Sequence, residues 1–199
     1  MTVEVDTGEI VLQALRERRS MPQVESRVPP REVIERVIEA GTWAPNHHRT
    51  APWHFVVLTG GAREQLGTVM ADRLRATLPD PESDQAQKAL EKERAKPLRA
   101  PVVIAVAAIP TTGPKVIEIE EVEATAAAVE NMLLAAQALG LGAMWRTGPA
   151  AYAPEVKRFL GLPDDAHIVS FVYLGYPALP YVPRAHKDEP DHTSWLGWD

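Results

Sequence analysis

Three short groups of residues have the types and spacing to do chemistry: Arg18-Arg19-Ser20; the set Trp43, Asn46 and His47; and Trp145-Arg146-Thr147-Gly148. Guanidinium groups bind phosphate through paired, charge-assisted hydrogen bonds, and a serine hydroxyl adds a short donor. A tryptophan can pack flat against another planar ring. Together these groups suit a ligand with a phosphate at one end and a planar heterocycle at the other, which describes a mononucleotide cofactor. Each group alone also has an ordinary explanation. Arg-Arg-Ser serves as a helix ending in many proteins. Arg16, Arg18, Arg19, Arg27, Arg31 and Arg36 equally suit a solvated face balanced by Glu17, Glu25, Glu32 and Glu35.

Other chemistries find little support. The chain has no cysteine, which excludes disulfides, thiolate nucleophiles and cysteine-bound zinc. It contains neither Gly-x-Ser-x-Gly nor His-Glu-x-x-His. A metal site would need several of His47, His48, His54, His167, His186 and His192 to converge with carboxylates, and adjacent residues such as His47 and His48 point apart in regular structure. No metal is therefore expected. No strand is followed by a glycine-rich turn of the dinucleotide or P-loop kind. The formal charge of −6 would repel a polyanion on average, so nucleic acid is not an expected partner. The start, Met1 to Asp6, lacks the basic and apolar stretches of a secretion signal, and no apolar run reaches the roughly 20 residues that span a bilayer. These features and the missing cysteines point to a cytoplasmic protein without a membrane partner.

The elements that must position these groups can be read from periodicity and punctuation. With 199 residues, 45% hydrophobic, the chain suffices for one self-supporting domain, expected over 1–199. Helices are predicted over 8–19, from Pro30 to Gly41, over 62–77, over 118–139 and from Pro154 to Leu160. Strands are predicted over 53–58, 101–108, 143–146 and 167–174. The run 101–108 is apolar throughout and reads as a central strand buried on both faces. The long helix, rich in alanine on several faces, would lie close to other helices and also at a subunit interface. The charged, proline-flanked stretch 79–97 reads as a helical surface excursion, either a solvated connector or a lid over a pocket. Mixed helices and strands imply a sheet covered by helices on both faces.

The motifs, in their order and spacing, resemble the nitroreductase family of flavoproteins, most closely its compact YdjA-like subgroup. The resemblance runs through Arg18-Arg19-Ser20, Ala44-Pro45-Asn46, Pro52-Trp53-His54-Phe55, Ala100 to Ile104, Glu130 to Gly142, Trp145 to Gly148, and Leu174-Gly175-Tyr176-Pro177. It implies an α+β three-layer sandwich, with a central mainly antiparallel sheet flanked by helices, assembled as an intertwined homodimer. It implies FMN at the subunit interface, with NADPH or NADH as reductant. The implied activity is a ping-pong, two-electron reduction of a small-molecule acceptor such as a nitroaromatic or quinone. Flavin N5 would carry the chemistry, with no catalytic side chain. The same fold would also serve dehalogenation, flavin cleavage or non-enzymatic flavin binding. Carried over by position, Arg18, Arg19 and Ser20 would hold the phosphate and ribityl chain. Trp43, Asn46 and His47 would reach the flavin from the other subunit. Met144, Trp145, Arg146, Thr147 and Gly148 would lie along the ring and ribityl, and Arg184 would finish the phosphate site. The chain departs from the family pattern at Pro22, where relatives often carry Arg, and at Arg49 and Ala51, where many carry Asn and Gln.

Overall fold

The computed structural model describes residues 7–182 and 192–197. Arg184, expected to finish the phosphate site, lies outside the described residues. Six helices, α1 (Thr7–Glu17), α2 (Arg31–Thr42), α3 (Gly61–Arg75), α4 (Asp84–Arg94), α5 (Glu118–Ala138) and α6 (Pro154–Phe159), accompany four strands. The strands are β1 (Trp53–Leu58), β2 (Val102–Ala108), β3 (Gly142–Arg146) and β4 (His167–Gly175). They form one sheet in the order β1-β2-β4-β3, and every neighbouring pair is antiparallel.

β2 explains the layering. All seven of its residues are buried, and its side chains alternate between two cores. Val103, Ala105 and Ala107 join one core with Leu66 and Met70 of α3 and Val156 of α6. Val102, Ile104 and Val106 join the other with Ile34 and Val37 of α2 and Val129, Met132 and Ala136 of α5. Because both faces are covered, the strand has no polar alternation. The result is the expected α+β three-layer sandwich, helices on either side of an antiparallel sheet. Each fully buried Val or Leu in these cores contributes about 1.5–3 kcal/mol. The helix α5, 21 residues long and so about 30 Å, crosses the whole domain. Gly41 of α2 lets the two helices approach so closely that a Cβ there would stand 3.0 Å from the Met132 side chain of α5.

One element departs from its sequence pattern. The first helix ends at Glu17 rather than at residue 19, because the chain beyond it is drawn onto the sheet. Ser20 forms a parallel bridge with Ala143, and the Met21 N–H donates to the Ala143 carbonyl at 2.9 Å. The excursion after α3 is helical over 84–94 and rests on α3 through the buried Ala86 and Leu90. The contact is so close at Gly67 that a Cβ there would lie 2.1 Å from the Arg94 carbonyl oxygen. Among the described residues, no helix is long and apolar enough to cross a membrane.

Candidate functional site

The sequence-predicted site residues fall into two groups, and one chain keeps His47 of the second apart from Arg18 of the first. The first lies along β3, the edge strand. There the Ser20–Ala143 bridge places Arg18, Arg19 and Ser20 beside the start of the strand, and Met144 to Gly148 continue along it. The Arg18 Nε is 2.8 Å from Glu130 Oε1 on α5. The Arg19 backbone N–H donates to Gln137 Oε1 at 3.2 Å, seven residues further along the same helix. Glu130 and Gln137 therefore present one face of α5 to the Arg-Arg pair.

The Arg19 guanidinium curls back, its Nη1 donating to the carbonyls of Arg16 at 2.9 Å and Arg18 at 2.6 Å. Its Nε is buried without an acceptor, and so is the Nε of Arg146. Among the described residues neither guanidinium has a carboxylate partner. Arg146 lies over the Tyr173 ring, 5.3 Å from its centroid. Burial pushes the Tyr173 phenol up, against the pull of the nearby Arg146 and Arg99 charges, so it is neutral at ordinary pH. Met144 packs into one core while Trp145 turns to the other face, where its indole N–H donates to the Val169 carbonyl at 3.2 Å. Thr147 is exposed. Gly148 has φ +123°, and a Cβ built there would touch nothing. A buried donor without a partner costs about 1–3 kcal/mol. Two such donors on carboxylate-free cations, one beside the start of β3 and one at its end, are what an anionic ligand along β3 would satisfy. The residues present thus fit the phosphate and polar edge of FMN.

The second group sits between α2 and β1. Trp43 is 78% exposed. Asn46 Oδ1 accepts the Ala51 N–H at 3.0 Å. His47 Nδ1 is 2.9 Å from Glu120 Oε2, in the first turn of α5. Ten residues of helix separate Glu120 from Glu130, about 15 Å along the axis, so His47 and Arg18 do not meet within one chain. The expectation that His47 and His48 point apart is corrected: their rings stack at 3.9 Å. The cause is His48 at φ 58°, outside regular structure. The described residues include no group of three or more His, Asp or Glu placed to hold a metal ion.

Three residues around these groups were not singled out from sequence. Tyr173 is hidden in the apolar run of β4. Gln137 looks like one more surface position on a long helix. Glu121 is 4% exposed and was passed over in an acidic first turn. Its position on the buried stripe with Ala124, Thr125 and Ala128 was the available signal.

Residues 15–176 match the profile of the Nitroreductase family. A protein of Escherichia coli strain K12, provisionally named NAD(P)H nitroreductase YdjA, is 35% identical over 168 residues, covering 84% of this chain and 88% of its own. The crystal structure of a nitroreductase-like family protein from Bacillus cereus superposes with a TM-score of 0.77 at 24% identity, covering 99% of both chains. A provisionally assigned nitroreductase from Desulfovibrio desulfuricans, solved in complex with FMN, superposes with a TM-score of 0.66 at 27% identity, covering 90% of this chain and 91% of its own. The chain is an oxidoreductase and belongs to the nitroreductase family.

Proposed function

We propose that this protein is an FMN-dependent NAD(P)H oxidoreductase that reduces nitroaromatics, quinones or related electron-poor acceptors by two electrons, in ping-pong order. It would act as a cytoplasmic homodimer with two shared sites. The carrying observation is the pair of carboxylate-free guanidiniums, Arg19 and Arg146, each with an orphaned buried Nε beside β3. FMN in the Desulfovibrio relative supports the same cofactor here, and the naming of the Escherichia coli relative supports NAD(P)H as reductant.

When bound, FMN supplies the redox chemistry, accepting a hydride from the nicotinamide and returning the electrons to the acceptor. The chain's own residues bind and orient. Arg18, Arg19 and Ser20 hold the phosphate end. Arg146, kept in place by the Tyr173 ring, offsets negative charge at the polar edge of the ring system. Met144 to Gly148 line the cofactor, and Gly148 leaves room for its approach. His47, with Asn46 and Trp43 near it in sequence, comes from a second copy of this chain, since one copy holds its partner Glu120 about 15 Å along α5 from Glu130, the partner of Arg18. Two exposed apolar features support the dimer. The helix α1 buries no residue, and Ile10, Val11, Leu12 and Leu15 are 47–59% exposed. A groove of about 680 Å³ beside it is walled by Ile10, Ala14, Leu134, Ala138, Tyr181 and Val182. Large apolar surface of this kind marks an interface.

The test is spectroscopic. Purified protein mixed with FMN should retain the yellow chromophore through gel filtration and lose its colour on adding NADPH or NADH. The colour should return when a quinone or nitroaromatic is supplied. Protein that takes up no FMN would overturn the reading. Retained FMN that neither nucleotide reduces would leave a flavin-binding protein with another role.

A further inference from the structure

The loop from Asn46 to Pro52 is held in a conformation that its own residues resist. His48, Arg49 and Ala51 have φ of 58°, 56° and 49°. In that left-handed region the Cβ crowds the following carbonyl, at about 1–2 kcal/mol per residue. None of the three is glycine, so contacts must impose the shape. One is internal, the Ala51 N–H bonded to Asn46 Oδ1 at 3.0 Å. Two more come from outside the loop, the first being His47 Nδ1 at 2.9 Å from Glu120 Oε2. Thr50, between two left-handed residues, donates its hydroxyl to the carboxylate of Glu121 on α5.

Glu121 is the one buried acidic residue among the described residues. It also accepts the Thr111 N–H at 2.8 Å and the Thr111 hydroxyl at 3.1 Å, from the loop that follows β2. Burial pushes this carboxyl up, but the bonds from Thr50 and Thr111 prevail and hold it below the ordinary range. No lysine or arginine pairs with it among the described residues. A buried carboxylate is costly unless its lone pairs are met. Here three donors meet them, and the start of α5 adds a favourable dipole. One side chain thus fastens two loops at the same end of the sheet to the longest helix.

We propose that Glu121 is a positioning residue for cofactor binding: through Thr50 it holds the 46–52 loop in the shape that presents Asn46 and His47 to the flavin of a second copy of this chain. This rests on the flavin-site reading above. A role in general stability alone would not single out this loop.

The experiment compares full-length wild type with Glu121→Gln, Thr111→Val, His47→Ala and Arg19→Ala. Amide hydrogen exchange is followed without FMN, and the FMN dissociation constant is measured by flavin fluorescence. Glu121→Gln should speed exchange at residues 47–51 while β2 and β4 stay protected. It should weaken FMN binding about tenfold, the loss of one charge-assisted hydrogen bond. Thr111→Val, which removes one of the three donors, should move both readouts the same way by less. His47→Ala, which also removes the Glu120 contact, should weaken FMN while speeding exchange at 47–51 less than Glu121→Gln does. Unchanged exchange at 47–51 in Glu121→Gln overturns the proposal. So does unchanged FMN affinity in Glu121→Gln when His47→Ala and Arg19→Ala both weaken it, and the flavin-site reading then stands. If none of the variants alters FMN affinity, the flavin-site reading fails and takes the proposal with it. Should Glu121→Gln not fold, Thr111→Val decides by the same two readouts.

Discussion

The two halves of the candidate site differ in how their polar groups are satisfied. Along β3, Arg19 and Arg146 keep buried donors without acceptors, and neither cation faces a carboxylate among the described residues. In the 46–52 loop the opposite holds. Asn46, His47 and Thr50 each have a partner within the same chain, and the loop's cost is backbone strain rather than unmet hydrogen bonds. The β3 half leaves bonds for a ligand to complete. The loop half is preorganised before any ligand arrives, so binding need not order it. Substitutions in the first half should therefore act on affinity with little effect on the free protein. Substitutions in the second should act on the free protein first.

Arg19→Ala breaks this comparison most sharply. It removes two hydrogen bonds to the Arg16 and Arg18 carbonyls together with the cost of the orphaned Nε, which oppose one another, so the unfolding free energy of the FMN-free protein should change by no more than about 1 kcal/mol. FMN affinity should fall by roughly 10- to 150-fold, the range of hydrogen bonds to a charged group. Thermal unfolding without FMN, beside an FMN titration, measures both. A large stability loss with intact affinity would reverse the assignment of the two halves. A mixing experiment extends the test. If each site joins Arg19 of one copy to His47 of another, mixed dimers of Arg19→Ala and His47→Ala carry one intact site and one doubly altered site. Co-refolding the two should restore about a quarter of the wild-type sites. Sites built within one chain would restore none.

A smaller effect sharpens the β3 half. Tyr173 holds Arg146 by its ring face rather than by its hydroxyl. Tyr173→Phe should leave FMN affinity within about twofold. Tyr173→Leu loses a cation–π contact of about 0.5–2 kcal/mol and should weaken FMN correspondingly. If Phe and Leu behave alike, the ring is not what places Arg146.

The sequence revealed the elements better than it revealed their joint use. The strand at 53–58 and the helix starting at 118 emerge where periodicity and glycine or proline punctuation agree. The fully apolar run ending at Ala108 was readable as a central strand because burial on both faces leaves no alternation to find. Arg18-Arg19-Ser20 was legible as phosphate chemistry, but its pairing with β3 was not, since one isolated bridge leaves no periodic trace. The stacking of His47 on His48 was misread because it depends on a left-handed residue that is not glycine. Glu121 was missed because three donors make a charged residue acceptable on a buried stripe, and one of them, the Thr50 hydroxyl, lies 71 residues away in sequence.

The smallest expected effect concerns pH and the loop half. The Glu121 carboxyl titrates lower in the folded protein than in the unfolded chain. A depressed folded value means that the charged form contributes stability above the unfolded value of about 4.3. That contribution is lost as pH falls through the folded value. Glu121→Gln has no such proton to bind. Urea unfolding of wild type and Glu121→Gln without FMN should therefore give a constant stability gap from pH 7 to about pH 5, narrowing below the ordinary carboxylate range. Arg19→Ala, which leaves Glu121 in place, should track wild type throughout. A Glu121→Gln gap that stays constant into acid would mean that the loop is held by the shape of the side chain rather than by its charge. The contrast between a charge-fastened loop and a β3 half that leaves its donors open would then rest on the donors of Arg19 and Arg146 alone.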